Sequence, residues 1–288
     1  MKDSDFSEFW SRQGCRVLST KSCYWYSPRR FLYMSLPYHR QVSPSSAELC
    51  GVFSRAAALV LRYPAPVSES RRIGGLFVCA DKTYGLHSLN VKARNQTRRG
   101  LENCRIEQIT FSRIRREGHR LNVETFLRQR RDPGTITEEA WRLYCEAGET
   151  STDFEAWASL ADGKLVAFCV TALVEDCCNI LHQSSADEGL KAYANNALAF
   201  EVTKRKLACE RVRFVSYGYK SLDQTEGLDH FKLRMGYVLQ PFEDRVVVNP
   251  ALRPMLTLGG ARFIRWMATR YPERDLWRKA SSVLDSRD

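Results

Sequence analysis

The sequence predicts an α+β protein built on a mixed sheet, and three observations predict it. The second half reads strand, strand, strand, helix, strand, helix, strand, so tight antiparallel turns give way to crossovers through helices. Asp162-Gly163 separates two apolar runs, "FEAWASLA" and "KLVAFCVTALVE", and is a favoured two-residue hairpin turn. The 288 residues are 44% hydrophobic and 11% aromatic, enough apolar matter for a large core and too much for a disordered chain.

Taken in order, "CYWYSPRRFLYMSLP" predicts two short strands around a Ser-Pro-Arg-Arg turn. "SPSSAELCGVFSRAAALVLRYPAP" opens with capping residues and predicts a helix stopped by Pro64 and Pro66. "LFVCA" and "YGLHSL" read as strands. "NVKARNQTRRGLENC" reads as a basic helix ended at or just after Gly100, and "RIEQITF" alternates as a strand does. "NVETFLRQRR" reads as helix, and Thr137 is the expected N-cap of "ITEEAWRLYCEAGE". In the second half, "CNILHQSS" is the third strand, "DEGLKAYANNALAFEVTKRKLACE" one long helix, and "RVRFVSYG" a strand. The last segment, around "ARFIRWMATRYPERDLWRKA", reads as an amphipathic helix broken at Pro272.

Charge is unevenly spread. The net charge is +11. Residues 1–150 hold 25 Lys and Arg against 15 Asp and Glu, so +10, and the remainder is near neutral. Within Lys92–Arg131 there are 12 bases and 4 acids, which marks the stretch most suited to an anion. Lys92, Arg94, Arg98 and Arg99 are its best candidates, with Lys82, Tyr84 and Arg128 behind them. Arginine offers a bidentate grip on phosphate. No window has the apolar length of a membrane span, and the first sixteen residues lack the apolar core of a secretory leader. The ten cysteines form no C-x-x-C pair, and several lie in apolar runs, which points to reduced thiols and a cytoplasmic location. No metal site is expected.

Two stretches carry a resemblance to a known family. "VKARNQTRRGL" is similar to a basic helix placed before a strand, and "GLDHFKLRMGY" to a G-L-x-x-F-K-x-x-x-G-[FY] step. With the element order, they resemble the FemAB-type proteins of the GNAT-like superfamily, a branch associated with cell-envelope and exopolysaccharide synthesis. The similarity covers about residues 75–250. It implies the acyl-CoA N-acyltransferase fold, with an N-terminal lobe over 1–135 that carries the basic helix. A GNAT-like core would span 136–252 and a helical extension 253–288.

The resemblance implies an acyl- or aminoacyltransferase acting on an amine of a glycan, nucleotide-sugar or cell-envelope acceptor. It places Lys232, after Phe231, beside the cleft where donor and acceptor meet, where a cation can stabilise the oxyanion of an attacked carbonyl. On its own residues, Lys232 also reads as a surface partner of Asp229, three residues earlier. His182 is either a general base or a hydrogen-bonded wall residue. Gln183 and Ser184 end the same strand, Ser184 being a ligand donor or a helix cap. Tyr217 and Tyr219 flank Gly218 and are expected on one side of their strand, to protonate a leaving group or to pack. Asn195 and Asn196 either face the cleft or mark a later helix start.

Acyl-CoA or acetyl-CoA is one donor that the resemblance implies. Here the corresponding loop, "HQSSADEGLKAY", has one glycine and two acids and lacks the pyrophosphate-binding signature. Aminoacyl-tRNA is the other donor the branch implies. The competing reading is a non-catalytic module that binds tRNA or another polyanion through residues 92–131. A third places the C-terminal segment, with Phe263, Trp266 and Trp277, on a membrane surface.

Overall fold

The structure is a computed structural model; it describes residues 1–68, 73–220, 226–252, 254, 259–271 and 281. In chain order the elements begin with α1 (Asp3–Arg12), β1 (Val17–Ser19), β2 (Tyr24–Arg29), β3 (Leu32–Leu36), α2 (Ser46–Ala56), β4 (Val60–Ala65) and β5 (Ile73–Cys79). They continue with α3 (Val91–Asn103), β6 (Arg105–Ile109), α4 (Phe111–Arg128), α5 (Glu138–Gly148), β7 (Phe154–Ala161), β8 (Lys164–Val174) and β9 (Cys177–Ser185). The last are α6 (Asp187–Lys191), α7 (Ala194–Leu207), β10 (Phe214–Tyr219), α8 (Glu226–Arg234), β11 (Val238–Val248) and α9 (Ala261–Arg270).

The chain divides into two units interleaved in sequence. The first is Met1–Gln13, Leu76–Tyr219 and Glu226–Gln240; the second is Gly14–Gly75, Lys220–Thr225 and Pro241–Asp288. The first unit holds a mixed sheet in the order β5-β10-β9-β8-β7-β6, antiparallel except for the parallel pair β9–β10. The Asp162-Gly163 turn joins β7 to β8 with both residues at positive φ, +48° and +77°, the type I′ geometry. Successive residues of β8 serve opposite faces. Phe168 meets Trp141 and Gly118 of α5 and α4. Cys169 joins Ala197, Leu198 and Val202 of α7 in the main core.

The second unit holds β1-β2-β3-β4-β11, with β3 and β4 parallel across the crossover helix α2. Its core is Trp25, Tyr33, Val52, Phe53, Leu61 and their neighbours.

Four sequence expectations are corrected. The helix over 187–210 is broken: Tyr193 takes a left-handed backbone, φ +56°, so α6 and α7 are separate helices. The basic helix ends just after Gly100, at Asn103, within the expected bound; Gly100 itself lies inside α3, where a Cβ would stand 2.5 Å from the Tyr193 carbonyl oxygen, so the close α3–α7 approach requires glycine. "YGLHSL" contains a 3₁₀ turn, Leu86–Ser88, because the Arg94 guanidinium satisfies the carbonyls of Leu86, His87 and Leu89 that a strand neighbour would take. The first predicted helix stops at Ala56 with Ala57 left-handed, and Val60–Ala65, including Pro64, is β4. "NVETFLRQRR" is helical to Arg128 but belongs to a helix begun at Phe111, capped by Thr110.

Candidate active site

The site is built where β9 and β10 part. Their parallel pairing runs from Phe214↔Cys177 to Ser216↔Asn179. Beyond it, β10 bulges at Gly218, φ +76°, while β9 continues to Ser185. The gap opens a pocket of about 450 Å³, walled by the C-terminal end of α4, the end of β9, Tyr217 and Gly218 of β10, and Leu228, Phe231 and Lys232 of α8.

α8 is pinned at its C-terminal end. The Tyr84 hydroxyl donates to the Met235 carbonyl (2.7 Å) and the Asn90 amide to that of Arg234 (3.1 Å). Gly236 follows at φ +84°, where a Cβ would come within 2.9 Å of the Ser88 carbonyl oxygen. This turn explains the glycine of "RMGY" and sets Tyr237 into the core, its hydroxyl bonded to that of Thr203.

Lys232 is therefore not a surface charge. Its residue is 4% exposed. The ammonium donates to the Tyr219 carbonyl (3.2 Å), stands 4.5 Å over the Phe77 ring and 5.8 Å from that of Tyr217, and has the Asp229 carboxylate at 3.8 Å. Burial pushes its pKa down to about 8, and Asp229 offsets part of that fall.

One wall of the pocket is a chain of hydrogen bonds. Tyr217 Oη donates to Gln183 Oε1, Gln183 Nε2 to Asn195 Oδ1 (3.0 Å), and Asn195 Nδ2 to Ser185 Oγ (2.9 Å). Arg128 ends it, donating to Ser185 and pairing with Asp187 (2.6 Å). Burial holds the Tyr217 phenol well above its usual pKa. Deeper, Asn122 Oδ1 receives Ser184 Oγ–H (2.6 Å) and lies 2.7 Å from His182 Nε2. The imidazole is enclosed by Trp141, Tyr144 and Phe168. Burial first, and Arg131 second, push the His182 pKa down to about 4, so the ring is neutral at pH 7.

Of the sequence-predicted residues, the fold brings Arg128, His182, Gln183, Ser184, Asn195, Tyr217, Phe231 and Lys232 into one pocket lining. Others stand elsewhere. The bulge at Gly218 breaks the alternation that was to align Tyr217 with Tyr219, and Tyr219 supplies a backbone carbonyl to Lys232. Asn196 turns its amide to Met235 Sδ (3.7 Å). Arg94 is spent on its own loop, and Lys92, Arg98 and Arg99 are exposed on α3, outside the pocket lining. Lys82 caps the end of α7 through the carbonyls of Leu207, Cys209 and Val212. Sequence reasoning missed Asn122, Gln129 and Arg131. Asn122 had a signal: it is polar within the buried arc Ile114, Gly118, Leu121, Thr125 of α4.

The residues present do not fit a CoA diphosphate at the start of α6. The Asp187 amide there already donates to the Glu124 carboxylate (3.0 Å), and Asp187 and Glu188 hold the first turn. Gly189 serves packing, since a Cβ would stand 2.4 Å from the Val166 carbonyl oxygen. Among the described residues, no group of three or more His, Cys, Asp or Glu is placed to hold a metal.

No family model and no curated protein sequence matches this chain. Solved structures do. FemX aligns with TM-score 0.61 at 11% identity, covering 88% of this chain and 93% of that one. L-PGS from Bacillus licheniformis aligns with TM-score 0.55 at 12% identity, covering 84% and 87%. A domain named as the C-terminal part of a lysylphosphatidylglycerol synthetase from Agrobacterium fabrum aligns with TM-score 0.57 at 13% identity, covering 85% and 88%. These likenesses show the fold, which this chain shares with FemX and the two synthetase structures.

Proposed function

We propose that this chain is a FemAB-like acyl- or aminoacyltransferase that moves an acyl group from an activated ester to an amine. The observation that carries the reading is a buried lysine, Lys232, set in the wall of a pocket at the parting of two parallel strands. The amine nitrogen attacks the ester carbonyl, a C–N bond forms, and the carbonyl oxygen becomes an oxyanion that the Lys232 ammonium stabilises. The C–O bond then breaks, and the proton lost by the amine ends on the departing oxygen. His182, neutral and weakly basic, donates its Nε2–H to Asn122 Oδ1 and stores no proton in this scheme.

The start of α6, capped by Glu124 of α4, favours a donor without a CoA diphosphate, such as an aminoacyl ester of tRNA. Arg131 and Lys232 in the lining favour an acceptor with an anionic group, as nucleotide-sugar and cell-envelope precursors have. The reading of residues 92–131 as a polyanion surface alone is weakened by Arg113, Arg115, Arg120 and Arg128, each already paired with a carboxylate.

The test is turnover of aminoacyl-tRNA, with amine-bearing envelope precursors as acceptors, by wild type and Lys232→Met. The expected loss is about 10²- to 10³-fold in kcat. If the ammonium is the active form, the rate falls as pH rises through about 8. A rate that rises through that pH would make Lys232 a base and overturn its assigned role.

A further inference from the structure

In the second unit, one helix turns both cations and aromatic rings to solvent. α9 is anchored by Ala261 and Ile264, which pack with Val248 and Leu252. Away from that anchor, at 3.6 residues per turn, the arc runs Arg265, Thr269, Arg262, Trp266, Arg270, Phe263. All six are exposed; Phe263 and Trp266 are 53% and 58% exposed, and their ring centroids stand 6.1 Å apart. Arg270 lies over the Tyr271 ring, 5.4 Å from its centroid. The helix contains no acid.

We infer that α9 is a docking surface for an anionic lipid bilayer. Tryptophan and phenylalanine favour the boundary between headgroups and acyl chains, and arginines beside them reach lipid phosphates. The arc belongs to one helix, so its rings can enter a fluid interface without a preformed groove. A protein partner would have to bring both an apolar groove and acids. The inference is independent of the transferase reading, because its test contains no donor or acceptor.

The full chain is sedimented with vesicles of phosphatidylcholine alone and with vesicles that also contain phosphatidylglycerol. The expected result is binding to the anionic vesicles only, weakened by salt. Phe263→Ser with Trp266→Ser should reduce it at least tenfold. Arg262→Gln with Arg265→Gln should reduce it about fivefold per arginine. The unfolding midpoint of both variants should stay at the wild-type value. Equal binding to both vesicles, or none, overturns the inference. So does binding of a single-stranded RNA, lost in these variants, by a chain that ignores vesicles.

Discussion

Lys232 carries a charge that its surroundings disfavour. Two aromatic faces, one carbonyl and a carboxylate at 3.8 Å replace the water it loses. Because its folded pKa is lowered to about 8, the folded chain binds fewer protons than the unfolded one between pH 8 and the usual 10.5. Wild-type stability should therefore rise with pH across that window, and the penalty is fully present below it. Lys232→Met, apolar and of similar length, should be the more stable protein at pH 7, by about 1–4 kcal/mol, while losing turnover. The difference should vanish above pH 10.5; thermal unfolding of both proteins from pH 6 to 11 measures it. His182 gives a second window. Its folded pKa of about 4 lies below the usual 6.5, so stability should fall as pH drops from 6.5 to 4. In His182→Gln this acid limb should be shallower, as read by urea midpoints at pH 4 to 7.

The elements around the pocket are held by contacts that leave no room for a methyl group. α3 meets the α6–α7 break at Gly100, and α6 lies on β8 at Gly189. Gly189→Ala would drive a Cβ against backbone, which cannot yield as a side chain can, so α6 must shift. The expected cost is about 1–3 kcal/mol, seen as a lowered denaturant midpoint. Because Ser185, Asn195 and Arg128 converge beside α6, the same shift should raise KM more than it lowers kcat. Gly51→Ala is the control, being a helical glycine with nothing near its Cβ, and should be neutral or slightly stabilising. In the sequence the Tyr193 break showed only as the later helix start that Asn195 and Asn196 could mark. Alanine, asparagine and lysine around it all permit helix, and only the fit of Gly100 against the Tyr193 carbonyl shows why the chain turns there.

For the whole molecule, the question is the donor. The amide that would hold a diphosphate at α6 is held by Glu124, and nearby Arg120 and Arg128 are held by Glu124, Glu188 and Asp187. Acyl-CoA at about a hundred times the Kd of a true donor would add about 2.7 kcal/mol of stability. The expected outcome with CoA, acetyl-CoA and long-chain acyl-CoA is no shift of the unfolding midpoint. A clear shift with acyl-CoA would reverse the reading of α6.

The strand order from β7 to β11 with the helices between, the Asp162-Gly163 hairpin and the F-K-x-x-x-G-[FY] step were legible because each depends on near neighbours. Hydrophobic period, turn chemistry, a charge run and a short motif are local properties, and they named eight residues that now line one pocket. The burial of Lys232, the neutrality of His182 and the closure of α6 by Glu124 were not legible. Each depends on partners brought from distant sequence, Phe77 to Lys232, Asn122 to His182 and Glu124 to Asp187. The sequence by itself determined which residues could do chemistry. The tertiary structure decided which of them were desolvated and thereby shifted in pKa, because desolvation is a property of everything packed around a group and not of the group.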